Sequence, residues 1–171
     1  MKLTFPLRQH IGVPSEPVVS TGTHVKRGQL IAKKPDASLG ANIFSSVDGT
    51  VDSVNEAEIV INEENTDFSK YEKLTETSPL KLIEESGLVG LGGAGFPTYV
   101  KLGKKFESGG VIAVNAAECE PILSHNIDRI EKEPEQLIEG LKIVMGVVNA
   151  QRGIICLKHI HTEAIEILKN T

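Results

Sequence analysis

An all-β part over residues 1–66 followed by an α/β part over residues 67–171 is what the sequence predicts. Three observations lead there. Up to about residue 66 the apolar pieces are short and punctuated by glycine turns, the pattern of a small barrel or sandwich. Beyond it the periodicity becomes that of helices alternating with strands. Two continuous apolar runs in this second part, Val111-Ile112-Ala113-Val114 and Gly153-Ile154-Ile155-Cys156-Leu157, have the composition of buried parallel strands.

In the first part, strands are expected at Val18-Val19, Leu30-Ile31-Ala32, Asn42-Ile43-Phe44, Thr50-Val51 and Glu58-Ile59-Val60-Ile61. Between them stand Gly12, Gly22, Gly28, Gly40 and Asp48-Gly49. Thr21-Gly22-Thr23-His24-Val25-Lys26-Arg27-Gly28-Gln29-Leu30-Ile31 resembles one half of biotinyl and lipoyl domains, and Ser45-Ser46-Val47-Asp48-Gly49-Thr50-Val51 resembles the other. The resemblance implies a barrel-sandwich hybrid. Carrier domains of this kind hold their modified lysine on a hairpin tip midway between the two glycines that match Gly28 and Gly49. Here that midpoint is Ser38, with Lys33 and Lys34 earlier, on or just after a strand. The segment therefore reads as a carrier fold without a carried group, serving as a docking or spacer module. His10 and His24 are read as surface or turn residues. The acidic stretch from Asn55 to Lys73 reads as solvated turn and linker, with the domain boundary near residue 66.

In the second part, Ser78 suits an N-cap, Pro79 an N1 position, and Gly87 a C-terminal stop, so a helix is expected between them. Next comes Gly87-Leu88-Val89-Gly90-Leu91-Gly92-Gly93-Ala94-Gly95-Phe96-Pro97-Thr98. So many small residues allow positive φ and close approach by another group. Pro97 suits the first turn of a helix into Leu102, which would turn free amides and the positive end of a helix dipole toward a ligand. Gly90, Gly92 and Gly95 spell G-x-G-x-x-G. A helix rather than a strand enters the loop, however, which argues against an ordinary Rossmann first turn. A plain flexible connector is the competing reading.

Further on, Pro134 is expected to start a long helix whose stripe Leu137, Ile138, Leu141, Val144, Met145 and Val148 is core. Thr162 should cap a last helix through Leu168. Strand, helix, strand and helix describe a right-handed crossover in a parallel sheet. Two strands are few for such a sheet, so a truncated Rossmann-like α/β domain, or one completed elsewhere, is expected. Its open edge leaves homodimerisation in play. At the end of the first strand stands Asn115-Ala116-Ala117-Glu118-Cys119-Glu120-Pro121, where open α/β sheets bind ligands. An amide and two carboxylates suit ribose hydroxyls, ring nitrogens and carboxamides.

Several function classes are excluded. Net charge is −5 and only 4% of residues are aromatic, with no Trp, which argues against nucleic acid. No apolar run approaches the ~20 residues of a membrane span, and no signal peptide is visible. Cys119 and Cys156 cannot make a disulfide framework or a four-thiolate iron–sulfur site. A cytoplasmic setting is expected.

The stretch GLVGLGGAGFPTYVKL followed by NAAECEP resembles the flavin- and NADH-binding subunit of respiratory complex I. It is more similar to the C subunit of the Rnf electron-transport complex and its proline-reductase-associated relative PrdC. A leading barrel-sandwich fits that branch. The resemblance implies that Gly90, Leu91, Gly92, Gly93, Ala94 and Gly95 lie against FMN and the nicotinamide nucleotide. It implies further that the Phe96 ring sits beside the nicotinamide, that Lys101 reaches the flavin, and that Asn115, Glu118 and Glu120 bind at the strand end. Complex I subunits have an aspartate where Ala117 stands, which removes one hydrogen bond to the flavin, and Cys119 stands where a small residue is expected. Asp128-Arg129 reads as a structural pair, and His159 and His161 as surface residues.

The resemblance also implies a function. NADH would give a hydride to FMN, whose electrons leave to iron–sulfur centres in other subunits, ferredoxin-like modules or a reductase, at the inner face of a membrane through those partners. Family members carry further strands, a ubiquitin-like domain and, in Rnf-type members, Cys-rich modules that this sequence lacks. The chain alone is therefore expected to bind cofactor weakly or not at all and to be inactive. A non-catalytic docking module is the alternative.

Overall fold

In the computed structural model, which describes every residue except Thr66, Phe68, Gly92 and Pro121, the chain forms two compact units, Met1–Lys101 and Leu102–Thr171. The first holds two antiparallel sheets. One has the order β1 (Lys2–Pro6), β7 (Glu58–Asn65), β6 (Asp48–Val54), β3 (His24–Val25). The other has the order β2 (Glu16–Pro17), β4 (Leu30–Lys33), β5 (Ile43–Phe44). β7 shows why these residues make a sheet: Ile59 and Ile61 alternate with Val60 and Asn62, and both isoleucines are fully buried. They join Phe5, Val25, Ile31 and Val51 in one core, each full burial being worth ~1.5–3 kcal/mol.

The barrel-sandwich expectation for this region accords with the two small sheets; its strand list needs correcting. No strand forms at Val18-Val19. The chain pairs two residues earlier, at β2, and the Val18 amide donates to the Ile31 carbonyl at 2.9 Å. β1 and β3 were not expected. β7 continues through the acidic stretch read as linker, because Glu63 receives the terminal amine at 3.7 Å and Glu64 accepts from Thr50 Oγ1 at 2.5 Å. His10 is 7% exposed, contrary to the surface reading, whereas His24 is exposed and lies 3.3 Å from Glu64. Helices α1 (Pro79–Glu85) and α2 (Thr98–Leu102) come next.

In the second unit β8 (Gly110–Asn115) pairs in parallel with β9 (Ala150–Cys156), from Gly110↔Ala150 to Asn115↔Cys156. Between them run α3 (His125–Lys132), which was not expected, and α4 (Pro134–Val148); α5 (Thr162–Asn170) follows. Pro134 starts α4 as expected, and Asn149 ends it in the left-handed region at φ 59°. Ala116, Ile127, Ile130 and Ala164 make the core with Leu137, Ile155, Leu157 and Leu168 against them.

Three expectations fail here. The α4 stripe is only half-covered apart from Val148, and β9 is exposed over most of its length. β8 is likewise only partly covered, with Val111 45% exposed. Thr162 is the first helical residue and His161 holds the cap position. Among the described residues no helix is long and apolar enough to cross a membrane.

Candidate functional site

The glycine loop belongs to the first unit and is a closed excursion. Val89 and Pro97 pair as an antiparallel bridge, with the Gly90 amide donating to the Phe96 carbonyl and the Thr98 amide to the Leu88 carbonyl, both at 2.9 Å. Gly87 enters with φ 66°, and a Cβ there would lie 2.1 Å from the Asn42 carbonyl oxygen. Only glycine fits that approach. Gly93 has nearly the same φ, 65°, yet no atom lies within 4 Å of where its Cβ would be.

At the tip Leu91 is fully exposed, and Gly93 and Ala94 are exposed too. Among the described residues the amides of Leu91, Gly93 and Ala94 have no intramolecular acceptor. Gly92, expected in the same row, lies outside the described residues. The half-buried Phe96 ring has Lys101 Nζ 5.6 Å from its centroid, a cation–π distance. The helix behind the loop has five residues, too few for a substantial dipole. The donor capacity of the loop therefore lies in its own amides.

The strand-end segment belongs to the second unit. Asn115 closes β8, is exposed, and accepts at Oδ1 from the Ala117 amide at 3.1 Å. Glu118 is 4% exposed. Its Oε1 accepts from the Asn126 amide at 2.7 Å and its Oε2 from Asn126 Nδ2 at 2.9 Å, with His125 Nδ1 3.8 Å away. Burial alone would raise this carboxyl. The bonds from Asn126, helped by His125 and the Ile127 amide, outweigh it and hold the group below the usual range.

Ser124 makes no capping bond from its side chain to α3, so the remote Glu118 does that work. Nothing in the sequence singles out Asn126, because its partner lies eight residues back across a turn. Glu120 and Cys119 are exposed. The Asp128–Arg129 pair does not form. Arg129 reaches Glu133 at 3.2 Å, and Asp128 accepts from Ser124 Oγ at 3.2 Å. A cleft of about 350 Å³ opens beside Asn115, floored by Val114, Ala116 and Ile130 and rimmed by Asn126 and Arg129. Among the described residues no three His, Cys, Asp or Glu side chains gather as a metal site.

An all-antiparallel module carrying a glycine loop with free amides, followed by a parallel α/β unit with polar groups at a strand end, defines a modular protein with the parts of a nucleotide-cofactor binder. Comparison with known proteins gives the particular family. Residues 1–69 match the RnfC barrel sandwich hybrid domain and residues 83–171 the Nuo51 FMN-binding domain, and the chain belongs to this RnfC family.

It is 34% identical to the C subunit of the proton-translocating ferredoxin:NAD(+) oxidoreductase complex of Clostridium ljungdahlii, over 98% of this chain and 40% of the relative. It is 32% identical to the C subunit of the Na(+)-translocating ferredoxin:NAD(+) oxidoreductase complex of Acetobacterium woodii, over 96% and 41%. With the C subunit of the ion-translocating oxidoreductase complex of Salmonella gallinarum the figures are 28%, 98% and 27%. The chain thus spans about two fifths or less of the length of these relatives.

Proposed function

We propose that this chain supplies FMN- and NADH-binding determinants to an electron-transfer subunit of an ion-translocating oxidoreductase complex. One observation carries the reading: an exposed loop tip bare of a Cβ atom at Gly93, with amides at residues 91, 93 and 94 that have no acceptor among the described residues. Such a donor set fits a flat ring or a phosphate, since nothing but backbone need approach it. When bound, FMN would supply hydride acceptance from NADH and one-electron release to iron–sulfur centres.

The residues of the chain divide the work. The exposed amides of Leu91, Gly93 and Ala94 bind, with Gly92 proposed to join them, Gly90 and Gly95 hold the shape of the loop, and Phe96 would pack near the nicotinamide. Lys101, held near that ring, contributes positive charge at the flavin. Asn115 and Glu120 offer an amide and an exposed carboxylate for hydrogen bonds. Glu118 acts by holding residues 115–120 to the start of α3. No side chain acts as a covalent catalyst. Electrons would pass to ferredoxin-like modules or a reductase, in a cytoplasmic complex at the inner face of a membrane.

The test is a flavin-fluorescence titration of the purified chain with FMN, beside the Gly93→Val variant. Weak quenching that the variant abolishes is expected. Identical curves for the two proteins would overturn the reading and favour the docking-module alternative, which draws its own support from a carrier-type hairpin with Ser38 at its tip.

A further inference from the structure

We propose that the barrel-sandwich is the scaffold that sets the conformation of the glycine loop, and that His10 is the positioning residue through which it does so. The His10 ring is 7% exposed and makes two contacts: Nε2 to the Ala41 amide nitrogen at 3.1 Å and Nδ1 to the Ile11 carbonyl oxygen at 3.1 Å. A backbone amide only donates and a carbonyl only accepts, so Nε2 must accept and Nδ1 must carry the hydrogen. One neutral tautomer satisfies both contacts, and the ring ties the start of the chain to residue 41.

Ile11 then turns its own amide outward, donating to the Ala94 carbonyl at 2.8 Å. The next residue, Gly95, sits at φ 62°, where a Cβ would lie 3.1 Å from the Gln9 carbonyl oxygen and 3.2 Å from His10 Cα. The C-terminal half of the loop thus rests on residues 9–11, whose path the imidazole fixes. The entry to the loop is held by the same hairpin. Asn42 Nδ2 donates to the Glu85 carbonyl at 2.9 Å, and Lys34 Nζ pairs with Glu84 at 3.1 Å while lying 5.5 Å from the Tyr99 ring. Both ends of the excursion are therefore anchored to the β-module, and Leu91 and Gly93 stand exposed between them. That this anchoring serves a flavin rests on the reading of function given above.

The experiment is amide hydrogen exchange on the chain without flavin, for wild type, His10→Phe and His10→Gln. In His10→Phe the hydrogen-bonded amides of Ile11, Gly90 and Thr98 should exchange ~10-fold faster while those of Val51, Ile59 and Ile61 keep their rates, a local opening rather than a global one. His10→Gln, which restores an acceptor toward Ala41, should recover most of the protection. Unchanged loop rates in His10→Phe, or a rise of the same size in the β6 and β7 amides, would overturn the proposal. If His10→Phe does not fold, Gly95→Ala probes the same seat from the other side, and an Ile11 amide as slow as wild type would be equally fatal. A second readout is the ¹⁵N spectrum of the His10 ring in wild type. Hydrogen on Nε2 instead of Nδ1 would contradict the bridging role. Because exchange is read without cofactor, a failure of FMN to bind leaves this outcome intact and counts against the functional reading alone.

Discussion

Gly87 and Gly93 have nearly identical backbones and opposite surroundings, so the same substitution at each separates a structural glycine from a functional one. Both lie in the left-handed region, at φ 66° and 65°, where an alanine costs ~1–2 kcal/mol. At Gly93 that is the whole cost, since the new methyl meets nothing within 4 Å. At Gly87 the methyl would lie 2.1 Å from the Asn42 carbonyl oxygen, 3.0 Å from its carbon and 3.1 Å from its nitrogen. All three are backbone atoms, so relief requires the segment after β4 to move, adding ~1–3 kcal/mol by analogy with overpacked cores.

Thermal unfolding followed by circular dichroism should show Gly93→Ala lowering Tm by about 2–8 °C and Gly87→Ala by roughly twice that or more. FMN titration should rank them the other way. Gly93→Ala should weaken quenching at least ~10-fold if, as proposed, the cofactor approaches the space its methyl would enter, a loss of about 1.4 kcal/mol. Gly87→Ala, measured below its Tm, should retain most of the wild-type affinity. Equal destabilisation by the two variants, or an FMN affinity unmoved by Gly93→Ala, would refute the reasoning.

Other outcomes follow from single contacts. Glu118, whose folded pKa is depressed, contributes stability that is present above the unfolded carboxyl value of about 4.3 and is lost as pH falls through the lower folded value. The second unit should therefore loosen around α3 in acid. Glu118→Gln should flatten that dependence, and stability curves of equal slope below pH ~4 for the two proteins would count against the Asn126 pairing. Glu120→Gln, at an exposed side chain, should leave Tm within about 2 °C while weakening NADH binding, and a large Tm change would show that Glu120 is structural. Ile61→Ala, at a fully buried site, should cost ~2–5 kcal/mol in denaturant unfolding, and a loss under ~1 kcal/mol would contradict the packing of the β-core.

What the sequence reveals and conceals follows the range of the interactions. Pro134, Ser78 with Pro79, and Gly87 announce helix ends because caps are local. The alternation in β1, Leu3 and Phe5 inward of Lys2 and Thr4, is equally local, but five residues ending in Pro6 are too short a run to declare a period. The glycine loop is legible as an excursion, since seven of the twelve residues 87–98 are glycine, alanine or proline.

What is not legible depends on partners far along the chain. Nothing near His10 says that residue 41 will supply a donor, so burial of the imidazole could not be foreseen. Nor does Asp128-Arg129 disclose that Ser124 and Glu133 will divide the pair. The apolar run in β9 states what the strand would bury, but exposure is fixed by what covers it, and here Gly153 and Ile154 stay open. The loop and the strand-end segment are legible separately, and each keeps its own geometry within its own unit.

The hairpin between β4 and β5 offers the last test, because its carrier-like shape invites the idea that a lysine at the tip would be modified. Ser38 is committed to the local turn: its Oγ donates to the Pro35 carbonyl at 2.6 Å, and Ala37 beside it sits at φ 57°. Its carbonyl also faces Tyr99 OH, a long contact at 3.4 Å, next to the Lys34–Glu84 pair. A tip held this way against the segment that carries the glycine loop is not the free, solvent-borne turn on which a carrier lysine must swing. Ser38→Lys expressed in cells containing biotin and lipoyl ligases should therefore show an unmodified intact mass. It should also lose the Oγ bond, at a cost of ~0.5–1.5 kcal/mol. An adduct of biotin or lipoate on residue 38 would show that the tip is free, and with it that the anchoring of residues 79–101 on the β-module has been misjudged.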